Sequence, residues 1–399
     1  MEKTNRYSID AVREQMDIAS RTENIRERIE ATGADGLLLT CVSNIIYTTG
    51  TVFNGYYYLP LKGEPIHFVK KAGVWEFKNT EYLRKPEQIP ELLSAKGIEA
   101  PSKLLIEDAQ VTYAEVVRLQ AVFPNTIFLP ASNLMREIRS VKTPYEVSLI
   151  KESADKASKV FKSIPSIYEK GMTDTELGIE IEYLLRSSGH LGYIRMFSRY
   201  FEGNGNALSS GSNATAPSPY DYAIGGAGEN KTMPIGAIGA VMYEGTTVLV
   251  DFATNFDGYI TDTSRTYSIG RAPDNAIAAH EAALEIQDMI ITQTKPGALC
   301  GDIYEEAVKM ADESGFGEYF MGYKQKSKFV GHGVGIELDE LPVLSYKSKA
   351  VIKEGMILAI EPKFTLPGIG AVGVENTCVV RHDGLEKLTS SLNDRIITL

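Results

Sequence analysis

Cysteine is scarce in this chain. Cys41, Cys300 and Cys378 are the only three in 399 residues, and no two form a CxxC pair. An odd, scattered set suits a reducing compartment better than a disulfide scaffold, and each reads as a small buried hydrophobe. Long apolar runs are missing as well. No stretch approaches the roughly 20 residues needed to span a bilayer, and the opening MEKTNRYSIDAVREQ has no apolar core of a secretory signal. Positive charge is in deficit, with 41 Lys and Arg against 52 Asp and Glu and a net charge of −11. That balance argues against nucleic acid or an anionic membrane as the main partner, though a local basic pocket stays open. The expectation is a soluble, cytoplasmic protein with neither partner. No solenoid repeat or low-complexity tract is found.

What remains is ordinary globular composition, 43% hydrophobic and 23% charged, with chain enough for two domains. Residues 22–32 read as an amphipathic helix, GLLLTCV as a buried strand, and Tyr47 to Tyr58 as β-like. Strands at 65–71 and 103–108 alternate with helices near 90–96 and at 112–123, the pattern of an α/β domain. The run Thr143-Pro144-Tyr145-Glu146 carries a cap, a proline at the first helical position and an early acid, so a long helix starts there. A boundary falls within 133–145, giving an N-terminal domain over 1–140 and a C-terminal domain over 141–399. The second domain has another helix over 174–189, then a β-rich region dense in Gly and Pro, then helices over 274–293 and 301–314. It reads as α+β, with helices covering a curved antiparallel sheet. The long irregular stretch after residue 190 is of the kind that carries function.

Two aspartates stand out. Asp251 and Asp262 sit in VLVDFAT and YITDTSRT, two β-prone runs joined through Asp257-Gly258, a strong hairpin signal. With an even loop both carboxylates share one face, opposite or diagonal to each other; with an odd loop they point to opposite faces. Same-face carboxylates about 5 Å apart in an apolar setting need a shared proton or a cation. The alternative is that each caps a turn or pairs with Arg265 or Arg271.

Further candidate ligands exist. His332, one of only five histidines, lies between glycines in FVGHGVG, where small neighbours would let a ligand approach. Glu361 follows the apolar run MILAI, and Glu375 lies in AVGVENTCVV. A salt bridge to a nearby Lys or Arg accounts for either glutamate equally well. As a set, four carboxylates and one imidazole suit a pair of divalent cations such as Mn²⁺, Co²⁺, Fe²⁺ or Zn²⁺. Two such ions about 3.5–4 Å apart can share and activate a water.

These residues resemble the signature of the "pita-bread" metalloenzymes, which include prolidase, aminopeptidase P, methionine aminopeptidase and creatinase. The matching features are Asp251, Asp262 in GYITDTSRT, His332 in GHGVG, Glu361 in EPKF and Glu375 in GVEN, in order and spacing. The resemblance spans most of the chain. SNIIYTTG, residues 43–50, is similar to a strand of the creatinase-type N-terminal domain, and IRSVKTPYEVSLIKES to the opening of the catalytic domain. It implies an Xaa-Pro peptidase branch enzyme with two metals, Mn²⁺ foremost, on the five residues. Glu361 would also pass protons, and the chain would form a homodimer.

Departures from the family pattern bear on substrate. Ser218 stands where family peptidases carry a histidine after proline, Asp339 where they carry a second histidine, and Gly373 where prolidase-like members often carry arginine. Ser218 and Asp339 are therefore candidate catalytic positions, with Tyr220, Asp221, Arg195 and His190 as candidates for a remodelled substrate pocket. Three readings compete: a dinuclear metallopeptidase cleaving short peptides through a metal-bridging hydroxide, a same-fold metalloenzyme acting on a non-peptide small molecule by C–N hydrolysis or elimination, and a non-enzymatic binding protein.

Overall fold

A computed structural model describes residues 2–71, 77–198, 203, 205–220 and 222–399. The chain divides into two compact units, 1–139 and 140–399. The first is α/β. A helix over Glu2–Thr32 leads into the strand Gly36–Leu39, which pairs antiparallel with Asn54–Pro60 and parallel with Lys103–Ile106. Six strands make up its sheet. Leu38, Tyr56, Tyr58, Phe68 and Leu104 form a core against helices over Ile89–Ala95 and Tyr113–Val122.

One element departs from the sequence reading. SNIIYTTG is helical, within Val42–Thr49, rather than a strand. The cause is a buried acid distant in sequence. Glu107 accepts hydrogen bonds from the Thr40 and Cys41 amides, at 2.6 and 2.9 Å, and from Asn44 Nδ2 at 2.7 Å. Those bonds turn the chain at the end of the preceding strand. Thr48 and Thr49 then satisfy their hydroxyls on carbonyls of the same helix. Local β preference loses to this tertiary contact.

The second unit is α+β. Thr143 caps the helix Pro144–Ile167, and Glu146 returns the bond to the Thr143 amide at 3.0 Å, completing a capping box. This helix and Asp174–Ser187 pack on Val248, Val250 and Phe252. Helices Asp274–Gln293 and Cys300–Glu313 cover Leu358, Ile360, Phe364 and Val372. The strands between are largely antiparallel, in sheets of five, four and two. The helix-covered sheets are those of a pita-bread fold. Cys300 and Cys378 are buried free thiols, each pushed up to about 12 by burial, whereas Cys41 is half-buried. Among the described residues no helix is long and apolar enough to cross a membrane.

Candidate metal centre

The hairpin sets the geometry. Strands Thr247–Phe256 and Tyr259–Ser268 pair from Phe256↔Tyr259 outward, leaving a two-residue turn. Asp257 and Gly258 both have positive φ, 55° and 90°, the conformation of a tight twisted hairpin. The even loop puts the two acids on one face. Asp251 lies opposite Ser264 and Asp262 opposite Ala253, so the carboxylates are diagonal. Neither caps a turn with its side chain or pairs with arginine. Arg265 instead bonds Asn393 O, Ser264 O and Glu375 O and pairs with Asp394, while Arg271 pairs with Asp274.

Three further elements bring ligand atoms to this face. His332 is on the strand Phe329–Gly333; its Nδ1 lies 3.1 Å from Gly333 O, an acceptor that orients the ring with Nε2 towards the acids. Nε2 is 3.5 Å from Glu361 Oε1 and 3.8 Å from Asp262 Oδ2. Glu361 follows the strand Ile357–Ile360, and Glu375 precedes Asn376–Arg381, its Oε2 taking 2.5 Å from Ser264 Oγ. Asp262, His332 and Glu375 offer ligand atoms within 4.8 Å of one another. Two atoms each bound to one ion at about 2.1 Å lie about 3.0–3.4 Å apart, so only a small contraction would seat a cation here. The mixture of imidazole and carboxylate suits a borderline or hard divalent ion.

The glycines beside His332 have a different role from the one expected. A Cβ at Gly331 would lie 2.6 Å from Ala359 O, and one at Gly333 would lie 2.3 Å from Leu341 O. They let neighbouring strands close on the histidine rather than opening a path to it.

Sequence reasoning missed Lys363. Its ammonium, with no exposed surface, donates to Asp251 Oδ2 and Glu361 Oε2 at 2.8 Å and to Glu375 Oε2 at 3.0 Å. The only sequence signal was a lysine two residues after a candidate ligand, in an otherwise apolar strand. Electrostatics follow from this packing. Burial pushes Asp251 up, Lys363 resists and Glu375 reinforces, leaving it at about 6. Asp262 is raised well above the ordinary range by burial and then by Glu375, Asp251 and Glu361. Burial pulls the Lys363 ammonium down, but Asp251, Glu361 and Glu375 outweigh it and raise it overall.

The pattern of the whole chain matches known proteins. The model of metallopeptidase family M24 matches residues 148–382, and that of the creatinase/prolidase N-terminal domain matches 21–141. The chain belongs to metallopeptidase family M24. An Xaa-Pro dipeptidase of Pyrococcus horikoshii is 24% identical over 386 residues, covering 96% of this chain and all of that one. An uncharacterized peptidase of Bacillus subtilis, YqhT, is 24% identical over 389 residues, covering 94% and 99%. Among solved structures, an Xaa-Pro dipeptidase from Bacillus anthracis superposes with a TM-score of 0.78 at 24% identity, over 96% of this chain and 100% of that one. An X-Pro aminopeptidase from Thermotoga maritima gives 0.77 at 21% identity, over 95% and 99%. This metallopeptidase is an enzyme of a family that works with divalent metal ions.

The candidate substrate residues of the metallopeptidase are spread more widely. Ser218 Oγ donates to Pro234 O at 3.0 Å, so its proton is committed inside its own loop. Asp339 Oδ1 accepts from the Phe197 amide at 2.7 Å, and Leu338 N donates to Arg195 O at 2.8 Å, joining two loops side by side. Arg195 keeps Nε and Nη1 buried without a partner among the described residues. Tyr220 reaches Met233 Sδ at 3.8 Å. Asp221 lies outside the described residues. His190 accepts from the Asn255 amide at 2.9 Å and serves the hairpin, not the centre. Tyr222 went unnoticed in the sequence; burial raises its phenol, and Asp262, Asp251, Tyr220 and Asp339 raise it further, which places it in the field of the acids.

Proposed function

We propose that this chain is a metal-dependent peptidase that hydrolyses short peptides, Xaa-Pro bonds among them. The observation that carries the reading is the cluster of buried Asp262, Glu361 and Glu375 with partly buried His332, built by four separate elements around one small space. These residues would hold a divalent ion, Mn²⁺ first among the candidates. Such an ion supplies a water that ionises near neutral pH and a polarised carbonyl oxygen.

The side chains account for the rest. Glu361 is held by Lys363 through Oε2, and its Oε1 faces His332, the place for a carboxylate that takes a proton from water and returns it to the leaving nitrogen. Arg195, whose buried Nε and Nη1 have no partner among the described residues, is a candidate cation for an anionic substrate group.

A second reading draws on Ser218 and Asp339. One has its hydroxyl proton engaged and the other, when ionised, offers no proton to a developing oxyanion. A non-peptide small molecule cleaved at a C–N bond that is not an amide, or by elimination, builds no such oxyanion and has no need of both histidines. Hydrolysis of Xaa-Pro dipeptides by the metal-loaded chain, abolished by a chelator, tests the first reading. C–N cleavage or elimination of a small non-peptide amine without peptide turnover would favour the second.

A further inference from the structure

We propose that the Lys363 ammonium is the second cation of this centre, so that the chain binds one divalent ion where two were expected. The inference rests on the metal-dependent reading above. It starts from a match in number: an ammonium has three N–H donors, and three carboxylates receive them at 2.8, 2.8 and 3.0 Å. These are the lengths of charge-assisted hydrogen bonds.

The donors divide between two seats. Asp251 Oδ2, Glu361 Oε2 and Glu375 Oε2 face the ammonium. Asp262 Oδ2, Glu361 Oε1 and His332 Nε2 face one another. An ion in the first seat would have to bind oxygens that Lys363 already holds. It would stand within about 5 Å of a positive charge, the sum of one metal–oxygen and one hydrogen-bond length, in a buried site that screens poorly. An ion in the second seat shares only Glu361 with the ammonium and keeps its imidazole.

The backbone is shaped for the lysine. Lys363 pairs with Gly373 across a two-stranded ribbon. A Cβ at Gly373 would lie 2.7 Å from Lys363 Cα and 2.9 Å from its Cγ. The glycine at the position where an arginine was expected is thus the space through which Lys363 passes. Lys363 is a positioning residue: it holds Asp251, Glu361 and Glu375 and supplies fixed charge that no chelator removes.

The test counts metal. The full chain is stripped with chelator, dialysed against MnCl₂, and assayed for Mn per chain by elemental analysis and by electron paramagnetic resonance. The expected result is one Mn per wild-type chain with an uncoupled six-line spectrum. Lys363→Gly should take up a second Mn and show an exchange-coupled spectrum, with folding checked by circular dichroism. The wild-type count decides alone if that variant does not fold. Two Mn per wild-type chain, or a Lys363→Gly chain that stays at one, would overturn the inference while leaving the metal-dependent reading intact. No bound metal, with hydrolysis undiminished by chelator, would overturn both.

Discussion

Asp262 is the acid with the most to lose from an empty centre. It is 7% exposed, and four groups act on its charge besides burial, three of them carboxylates. Asp262→Ala is expected to abolish binding of the ion and to lower kcat/KM on peptides by at least about a hundredfold, a loss of roughly 3 kcal/mol of transition-state stabilisation. Metal content and turnover check it together; a variant that keeps its metal and full activity would remove Asp262 from the centre. At this scale the four acids and the histidine stood out in the sequence because charged residues are costly inside apolar strands, so each asks for a partner. Lys363 was not legible. A lone lysine beside Phe364 reads as the solvent side of a strand, and only the fold shows that this side faces three carboxylates.

At the scale of elements, the hairpin and its clamp decide whether the ligands meet. The Asp257-Gly258 turn was readable because few residue pairs adopt positive φ in succession, and its even length fixed the shared face. Arg265 was not readable as a clamp. Buried at 1% exposure, it ties the hairpin to the carbonyl of Glu375, to Asn376 Oδ1 and to Asp394. Arg265→Ala should cost about 3 kcal/mol or more, as for other buried ion pairs broken from one side. The check is a urea melt of metal-free protein, where a loss below about 1 kcal/mol would contradict the clamp. The helix at 42–49 escaped the sequence for a similar reason. Its cause, Glu107, lies more than sixty residues away in sequence.

For the whole molecule, the centre couples metal, protons and stability. The metal-free fold holds the Asp251 proton more tightly than the unfolded chain does, with a folded value of about 6 against an ordinary aspartate near 4. Its contribution is therefore intact below about pH 4, declines as pH rises towards about 6, and is fully lost above that; Asp262 extends the decline to higher pH. A bound ion needs Asp262 ionised and removes its part of the penalty. The melting temperatures of chelated and Mn-loaded protein should separate as pH rises through this window, and parallel curves in differential scanning fluorimetry would contradict it. Fold class was the most legible property at this scale, because the alternating elements of the first unit and the β-rich second unit follow from periodicity alone. Substrate choice was the least, since Arg195, Tyr222 and Asp339 lie in irregular loops whose partners only the fold reveals.

Peptide turnover as a function of added metal tests the central claim most directly. Chelated protein is titrated with Mn²⁺ while hydrolysis of Ala-Pro and of dipeptides without proline is followed by release of the free amino acids. The account predicts no turnover before metal is added, activity that rises with Mn²⁺ and saturates, and reversal by chelator. A chain that binds its metal yet cleaves none of these peptides, or one that cleaves them equally well without metal, would contradict it.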